Sequence, residues 1–452
     1  MWLKNKLFKI IIQILSINAL SYLVLLVTSI IIFRTVDKSF YGLYVIMLSL
    51  FAVVELLMAG FNESIVRFLN DTIPLNDKRK IVLFVLFYKY VLIFIFILCI
   101  YIARQYGFFD YLIGDYDKVS SVVDGFLLAV ILNGIISIFI GANHSILNSQ
   151  QKYKYTANSV LIRNMVYLLA VISLSFYTKN YLHYLFSNIA ISFILSIIIS
   201  IKIFKNFKEF SLFNIIKAKV SIDVGKKYIL SYASPLTASS LLTYTKNHLP
   251  ILLLGKEFNL DNVAVFSILK TFFKALHSLS GSFIEPMMSN FLELKNNTND
   301  FAIKMGAIFW GTFLLRFSIM IILTLLAQYF FLIYKIENNE VNQFVFYVLG
   351  IEYLLAGMIL VYGIILRLNK TTSKVLYASL IRFGVELILI YLILFDYGIM
   401  AAALILLMAR YVETVVTYLF IRNQRFFHFS GILLLCFIFV IFYYTFQLLV
   451  IS

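Results

Sequence analysis

The chain has 452 residues, of which 62% are hydrophobic and only 13% are charged. Soluble domains carry charges on about a quarter of their residues, so this composition excludes a soluble globular protein and indicates a chain that lies almost wholly in a membrane. The net charge of +16 would favour a nucleic-acid partner in a soluble protein. In a membrane protein the distribution of charge between loops matters more than the sum, and we expect no nucleic-acid partner.

Thirteen apolar stretches follow one another along the chain, each long enough to cross a bilayer as a helix of about 20 residues. They lie at about 14–33, 43–66, 81–102, 121–147, 158–177, 183–204, 227–254, 262–285, 303–332, 341–366, 374–395, 399–421 and 430–450. The first stretch runs on to Phe33 without a small-residue cleavage pattern, so we expect a retained helix rather than a signal peptide. The sequence therefore predicts an all-α polytopic membrane protein.

Basic residues alternate between the two sides of these predicted spans. If the N-terminus is cytoplasmic, 25 of the 38 Lys and Arg residues fall in or beside inner connections and seven fall in outer ones. Short cytoplasmic loops carry an excess of Lys and Arg, so this bias predicts a multi-pass protein of the cell inner membrane with a cytoplasmic N-terminus.

The longest inner connection divides the predicted spans into two sets of six. It covers residues 205–226 and mixes lysines with Phe and Ile side chains, a composition typical of a helix that lies in the membrane interface. We predict an N-terminal six-helix lobe at 1–204, this interfacial linker, a C-terminal six-helix lobe at 227–422 and an extra C-terminal transmembrane helix at 423–452. Both lobes begin and end inside, so they can be parallel repeats.

Three of the lysines that fall inside predicted spans lie in two consecutive ones, Lys246 in the seventh and Lys270 and Lys274 in the eighth. An ammonium near the middle of a membrane helix costs about 2.5–3.5 kcal/mol on insertion scales, so it usually faces a cavity, a partner or a ligand. Lys270, Lys274 and His277 follow i, i+4, i+7 spacing and share one helix face. Lys246 is expected at the depth of Lys270. The set predicts an anion-binding cavity, with lysines that snorkel or pair with acids as the alternative.

Other charged residues extend this hypothesis. Arg316 lies near the midplane of the ninth span and can enlarge the basic patch, whereas Arg34 and Lys89 are the only basic candidates of the first lobe. Glu55 lies near the middle of its span with no base close in sequence. It is a candidate for ion or proton coupling, and a buried neutral carboxyl is the alternative.

Two pairs of opposite charge are spaced for contact within a helix. Arg382 and Glu386 are four residues apart, and Arg410 and Glu413 are three apart. Residues at these separations are neighbours on a helix surface, so we interpret both pairs as structural bracing.

Only four prolines occur in the chain, and two of them, Pro235 and Pro250, lie in the seventh span. Proline frees a backbone carbonyl and bends a helix. A static kink and a hinge that bends during transport are both open interpretations.

The sequence offers no sign of enzyme chemistry. No Cys and His cluster has the spacing of a metal site, and the longest outer connection, about 103–120, contains no nucleophile or catalytic dyad. We therefore expect a protein without catalytic residues, metal or cofactor.

Five short segments occur in a characteristic order: Tyr41–Tyr44, Gly60–Arg67, Ser234–Leu236, Phe266–Lys270 and Tyr397–Ala402. Together they resemble the polysaccharide exporter branch of the multidrug/oligosaccharidyl-lipid/polysaccharide superfamily, over roughly residues 10–422. The resemblance implies two six-helix lobes around a basic central cavity and a flippase for lipid-linked oligosaccharides. The thirteenth helix departs from the counts of twelve and fourteen that are commoner in that superfamily.

The leading hypothesis is therefore a flippase that moves undecaprenyl-diphosphate-linked oligosaccharide to the outer leaflet by alternating access. Its expected phosphate-binding residues are Lys246, Lys270, Lys274, Arg316, His277 and Arg34. Membrane lipid and other polysaccharide assembly proteins are candidate partners. A cation-coupled drug or metabolite exporter of the same fold is one alternative, and a membrane polysaccharide polymerase or ligase is another.

Overall fold

Helices make up the whole of the regular structure, because no strand occurs among the residues that the computed structural model describes. These residues are 2–57, 59–70, 73–113, 116–150, 152–206, 208–210, 212–226, 242, 248–281, 298–368, 372–421 and 428–451. The predicted all-α fold class is confirmed. Most of the predicted seventh span, with Pro235 and Lys246, lies outside the described residues.

The chain divides into two compact units, of which the first is Met1–Lys256. Its helices are α1 (Trp2–Thr35), α2 (Lys38–Leu57), α3 (Ala59–Asn70), α4 (Leu75–Gln105), α5 (Phe108–Leu112), α6 (Tyr116–Ser149), α7 (Tyr153–Ser175), α8 (Tyr181–Asn206) and α9 (Leu212–Lys217). Residues 248–257 are also helical. Helix α6 packs against α2, α3, α4 and α8, while α1 packs against α7.

The second unit is Glu257–Ser452. Its helices are α10 (Leu260–Gly281), α11 (Thr298–Leu325), α12 (Ala327–Tyr334), α13 (Glu340–Leu368), α14 (Thr372–Leu389), α15 (Phe395–Ile421) and α16 (His428–Ile451). Helix α13 contacts α10, α11, α14, α15 and α16, and the most apolar part of its length is 72% buried. Because other helices surround α13 along most of its length, it is the core of this unit.

Helices α14 and α15 form a hairpin that turns at Gly398. A π-helical turn, Ile390–Leu394, leads from one into the other, and Gly398 has φ 55° and ψ −128°. A side chain is strained in this conformation, and a Cβ here would lie 2.9 Å from Cε1 of Phe258. Arg382 and Glu413, which are 16 and 15 positions from Gly398, form an ion pair between the two arms of the hairpin. Residues 373–421 thus form two antiparallel helices.

Eight helical stretches of the described residues are long and apolar enough to cross a membrane, with Ser373–Ile421 counted as one stretch. Large apolar side chains cover their outer faces, including Phe94 at 68% and Leu325 at 75% exposed. Such surfaces are stable against lipid but not against water. The protein is therefore a multi-pass membrane protein. The count of thirteen spans, the repeat relation and the domain boundaries stay predictions.

Candidate functional site

The interior of the second unit contains an unusual number of charged side chains. Arg316, Arg382, Glu386 and Glu413 are all less than 10% exposed. A buried charge is stable only when other charges or hydrogen bonds compensate it, so the partners of these residues reveal how the unit holds them.

Arg316 on α11 is fully enclosed, with 0% of its surface exposed. Its Nη1 donates to the carbonyl oxygen of Tyr353 at 2.8 Å and lies 3.1 Å from Nδ1 of His277. The guanidinium carbon lies 4.7 Å from the centre of the Tyr353 ring, which is a cation–π distance. Its Nε and Nη2 have no hydrogen-bond partner among the described residues. These contacts therefore use only some of the hydrogen-bond donors of the Arg316 guanidinium, and they compensate its positive charge only in part.

Gly357 on α13 makes room for this guanidinium. A Cβ at Gly357 would lie 2.7 Å from Cδ, 2.9 Å from Nε and 3.0 Å from Cζ of Arg316. These distances are shorter than van der Waals contact, and backbone and aromatic groups surround the guanidinium on its other sides. The missing side chain at Gly357 explains how α11 and α13 pack closely around Arg316.

We expect Gly357→Ala to lower the free energy of unfolding by about 1–3 kcal/mol, because overpacking a filled interior costs about that much. Thermal unfolding of the purified protein in detergent would measure the change. Gly363→Ala on the same helix is the matched control, since no described atom lies within 4 Å of its Cβ position. The same change made in an Arg316→Ala background would lose most of its cost. An equal effect of both glycine changes in the native background would contradict the explanation.

Four charged groups on α13, α14 and α15 form a continuous chain of ion pairs. Arg382 Nη1 donates to Glu413 Oε2 at 2.5 Å, and Arg410 Nη1 donates to the same oxygen at 2.9 Å. Arg410 Nε donates to Glu352 Oε1 at 2.6 Å. The predicted contact between Arg410 and Glu413 is confirmed. The chain as a whole ties three helices together at one depth.

Lys270 and Lys274 lie one turn apart on α10, as predicted. Lys270 is partly buried and Lys274 is exposed. The charged neighbours that act most strongly on Lys270 are the carboxylates of Glu386 and Glu352 and the cations of Lys274 and Arg382. Lys270 is therefore electrostatically part of the ion-pair chain, while Lys274 extends from it to the surface of the unit.

The charges of this group do not cancel. Four bases, Lys270, Arg316, Arg382 and Arg410, accompany three carboxylates, those of Glu352, Glu386 and Glu413. Exposed Lys274 raises the positive excess further. Within the part of the unit that the structure describes, the group is suited to attract an anion to the face of α10.

Among the described residues of the first unit, Lys89 is the buried lysine comparable to those of the charged group. Lys89 on α4 is 2% exposed, and its Nζ donates to Oδ1 of Asn62 at 2.5 Å. Gly141 of α6 lies against the same amide, since a Cβ there would be 2.9 Å from Asn62 Nδ2. Lys89 therefore marks the junction of α3, α4 and α6. Apolar residues flank Lys89 in the sequence as they flank Lys270, which indicates a buried lysine at both positions. The sequence does not reveal that Asn62 is the partner of Lys89.

The remaining predicted site residues have mixed outcomes. Arg34 is exposed at the end of α1. Glu55 belongs to α2, but its side chain lies outside the described part of the structure. Pro250 is buried within a helical stretch, so it does not end that helix. Lys246 and Pro235 lie outside the described residues, and their predicted roles stay predictions.

The described residues contain no group of three or more His, Cys, Asp or Glu side chains that can hold a metal ion. Glu352 and Glu413 of the second unit each bind an arginine.

Comparison with solved structures identifies the fold. The lipid II flippase MurJ in an inward closed conformation matches with a TM-score of 0.74, 14% identity, and coverage of 96% of this chain and 95% of that one. An inward-facing multidrug resistance MATE family transporter of the MOP superfamily matches with a TM-score of 0.66, 13% identity, and coverage of 92% and 98%. A MOP superfamily transporter from Pyrococcus furiosus, described as having a binding pocket of reverse polarity, gives 0.59, 14%, 92% and 95%. The chain has the fold of MurJ and the MATE transporters.

No curated protein matches the sequence. The family model described as "Polysaccharide biosynthesis protein" matches residues 7–292. This match covers more than half of the chain, from within α1 to beyond the end of α10. The chain therefore belongs to the polysaccharide biosynthesis protein family.

Proposed function

We propose that this protein is a flippase that moves a polyprenyl-diphosphate-linked oligosaccharide from the inner to the outer leaflet of the cytoplasmic membrane. It acts by alternating access and catalyses no covalent chemistry. Its family and its MurJ-like fold support this class of function. The observation that carries the proposal is the excess of positive charge in the second unit, which ends at exposed Lys274.

In this mechanism Lys270 and Lys274 bind the diphosphate of the cargo. A lysine ammonium acts as a compact point charge toward phosphate oxygens, and two of them one turn apart can contact adjacent phosphates. Arg316 is enclosed, so we assign it a supporting role. It raises the positive potential at the face of α10 and positions His277, whose Nδ1 lies 3.1 Å away. Lys246 and Arg34 complete the proposed set of basic residues.

The proposal also assigns roles to residues outside the basic set. Glu55 is the candidate for coupling to an ion or a proton, and Pro235 and Pro250 are candidates for a hinge. The N-terminus is cytoplasmic, as the distribution of basic residues predicts. Two six-helix lobes and an additional C-terminal helix form the proposed architecture.

The charge of the second unit disfavours the alternative of a drug exporter. A cationic drug requires exposed carboxylates, whereas Glu413 and Glu352 here bind arginines at 2.5–2.9 Å. A polymerase or ligase is disfavoured because the longest outer connection, about 103–120, is short and contains no recognisable nucleophile or catalytic dyad.

The test uses purified protein in liposomes that contain a fluorescent polyprenyl-diphosphate oligosaccharide. A membrane-impermeant quencher reports which leaflet holds the lipid, and we expect faster exchange between leaflets than in protein-free liposomes. Ethidium movement in the same liposomes tests the exporter. Exchange at the protein-free rate would contradict the flippase, and ethidium movement without lipid exchange would favour the exporter.

A further inference from the structure

A pocket of about 710 Å³ lies in the second unit. Helices α11, α13 and α16 contribute its lining, which consists of Met320, Thr324, Glu340, Gln343, Phe344, Tyr347, Ile351, Tyr443, Tyr444 and Gln447. Its volume falls within the range of about 300–1,000 Å³ that is typical of small-molecule sites. The third wall belongs to α16, the helix that the twofold plan of the chain does not include.

The pocket begins where α13 begins. Glu340 is the first residue of α13, and Ile351 at the far end of the lining lies eleven positions further along the same helix. At a rise of 1.5 Å per residue the pocket extends about 16 Å along α13. In the proposed topology the end of the pocket at Glu340 lies toward the outer surface of the membrane.

The base of the pocket is apolar and close-packed. Met320 and Phe344 are 7% and 3% exposed. The ring centroid of Phe344 lies 5.4 Å from that of Tyr444 in an edge-to-face arrangement. Tyr443 lies edge-on to Tyr444 at 5.3 Å. Rigid aromatic groups of this kind offer flat faces and keep their hydroxyl groups available for hydrogen bonds.

The walls are polar, which is unexpected for a cleft between membrane helices. Seven of the ten lining residues carry a hydroxyl, amide or carboxylate group. The phenol groups of Tyr443 and Tyr347 lie close enough to Tyr444 to interact with it electrostatically. Three tyrosine hydroxyl groups therefore converge in the wall of the pocket. Gln447 Nε2 donates to the hydroxyl of Tyr443 at 2.9 Å, which orients both side chains. The walls therefore offer several donors and acceptors at short range.

This lining chemistry distinguishes between possible ligands. No Lys or Arg belongs to the lining that the structure describes, and Glu340 repels anions, so a phosphate group is disfavoured. An acyl or polyprenyl chain would leave the polar walls without hydrogen bonds. A neutral molecule with many hydroxyl groups and flat C–H faces satisfies both the aromatic rings and the polar walls.

We propose that this pocket binds sugar rings of a neutral oligosaccharide at the outer side of the membrane. The inference rests on the proposed function, because it takes the ligand to be the saccharide part of the lipid-linked cargo. The charged group near α10 binds the diphosphate, and the pocket under α16 binds sugars distant from it. Longer saccharides therefore gain an interaction that a single sugar cannot make.

The test compares two lipids in the liposome assay, a polyprenyl diphosphate that carries one N-acetylglucosamine and one that carries a neutral trisaccharide. The variant combines Gln343→Ala, Tyr444→Phe and Gln447→Ala. The matched control combines Gln328→Ala and Tyr391→Phe, which change the same residue types at exposed positions of the same unit. Protein yield and thermal unfolding of both are measured first. We expect the variant to move the trisaccharide lipid about tenfold more slowly, since each lost hydrogen bond weakens binding by a small factor.

The outcomes separate this inference from the proposed function. If the triple variant moves only the trisaccharide lipid more slowly than the native protein does, the result supports the pocket. If the variant moves both lipids at the native rate, or slows both equally, the result overturns the inference. If the native protein moves neither lipid, the proposed function fails. The pocket is then tested by saturation-transfer NMR with maltotriose on protein in nanodiscs. Binding that the triple variant loses and the control retains supports a sugar site, and identical behaviour of all three proteins overturns it.

Discussion

Replacing Lys270 and Lys274 together with Ala will reduce transport of the lipid-linked oligosaccharide by at least about a hundredfold. Each ammonium contributes a charge-assisted hydrogen bond to phosphate, and such bonds are worth about 1.5–3 kcal/mol each. Lys274 is exposed and Lys270 is partly buried, so both can reach a ligand at the face of α10. The initial rate of lipid exchange in liposomes measures the effect.

Two controls make this result specific to phosphate binding. Lys179→Ala removes an exposed lysine in the connection between α7 and α8 and should leave the rate unchanged. Lys274→Arg keeps the positive charge and should retain most of the activity. Full exchange by the double variant, at native protein levels, would show that these lysines do not bind the cargo.

The second large effect concerns stability. Arg410→Leu will lower the free energy of unfolding by about 3–5 kcal/mol, because it removes the cation that binds both Glu352 and Glu413. Breaking a buried ion pair from one side leaves uncompensated charge, which costs more than the intact pair contributes. Thermal unfolding in detergent and the yield from membranes measure the loss.

The control for this change is an ion pair on the surface. Arg104 pairs with Asp124 while 44% and 60% of the two side chains are exposed, and exposed pairs contribute about 0–1 kcal/mol. Arg104→Leu should therefore leave the unfolding temperature nearly unchanged. Equal destabilisation by both substitutions would contradict the role of the buried chain.

The sequence predicts contacts along a helix much better than contacts between helices. Spacing alone placed Lys270, Lys274 and His277 on one face and paired Arg410 with Glu413, which the structure confirms. It did not predict that Arg410 also binds Glu352, 58 positions earlier. That contact depends on α13 and α15 being neighbours. Because the side chains on every face of α13 are similarly hydrophobic, the sequence does not indicate which helix packs against which face.

A similar limit applies to individual residues of the site. The sequence placed Arg316 near the midplane, but the contact with His277 and the space provided by Gly357 depend on the packing of α10, α11 and α13. The segment Tyr397–Ala402 was recognised as a family motif. Its physical role, a turn at Gly398 with positive φ, becomes clear only from the backbone.

The turn at Gly398 has a mechanical consequence for any change of conformation. It lies inside α15, three residues after that helix begins, so no loop separates the two arms of the hairpin, which Arg382 and Glu413 connect further along. Sliding one helix past the other by a single turn, about 5.4 Å, would break this ion pair and would require connecting residues that the turn does not have. The hairpin can therefore tilt as a rigid body, but its two helices cannot slide past each other. Displacement within this unit must instead be absorbed at longer connections, such as residues 335–339.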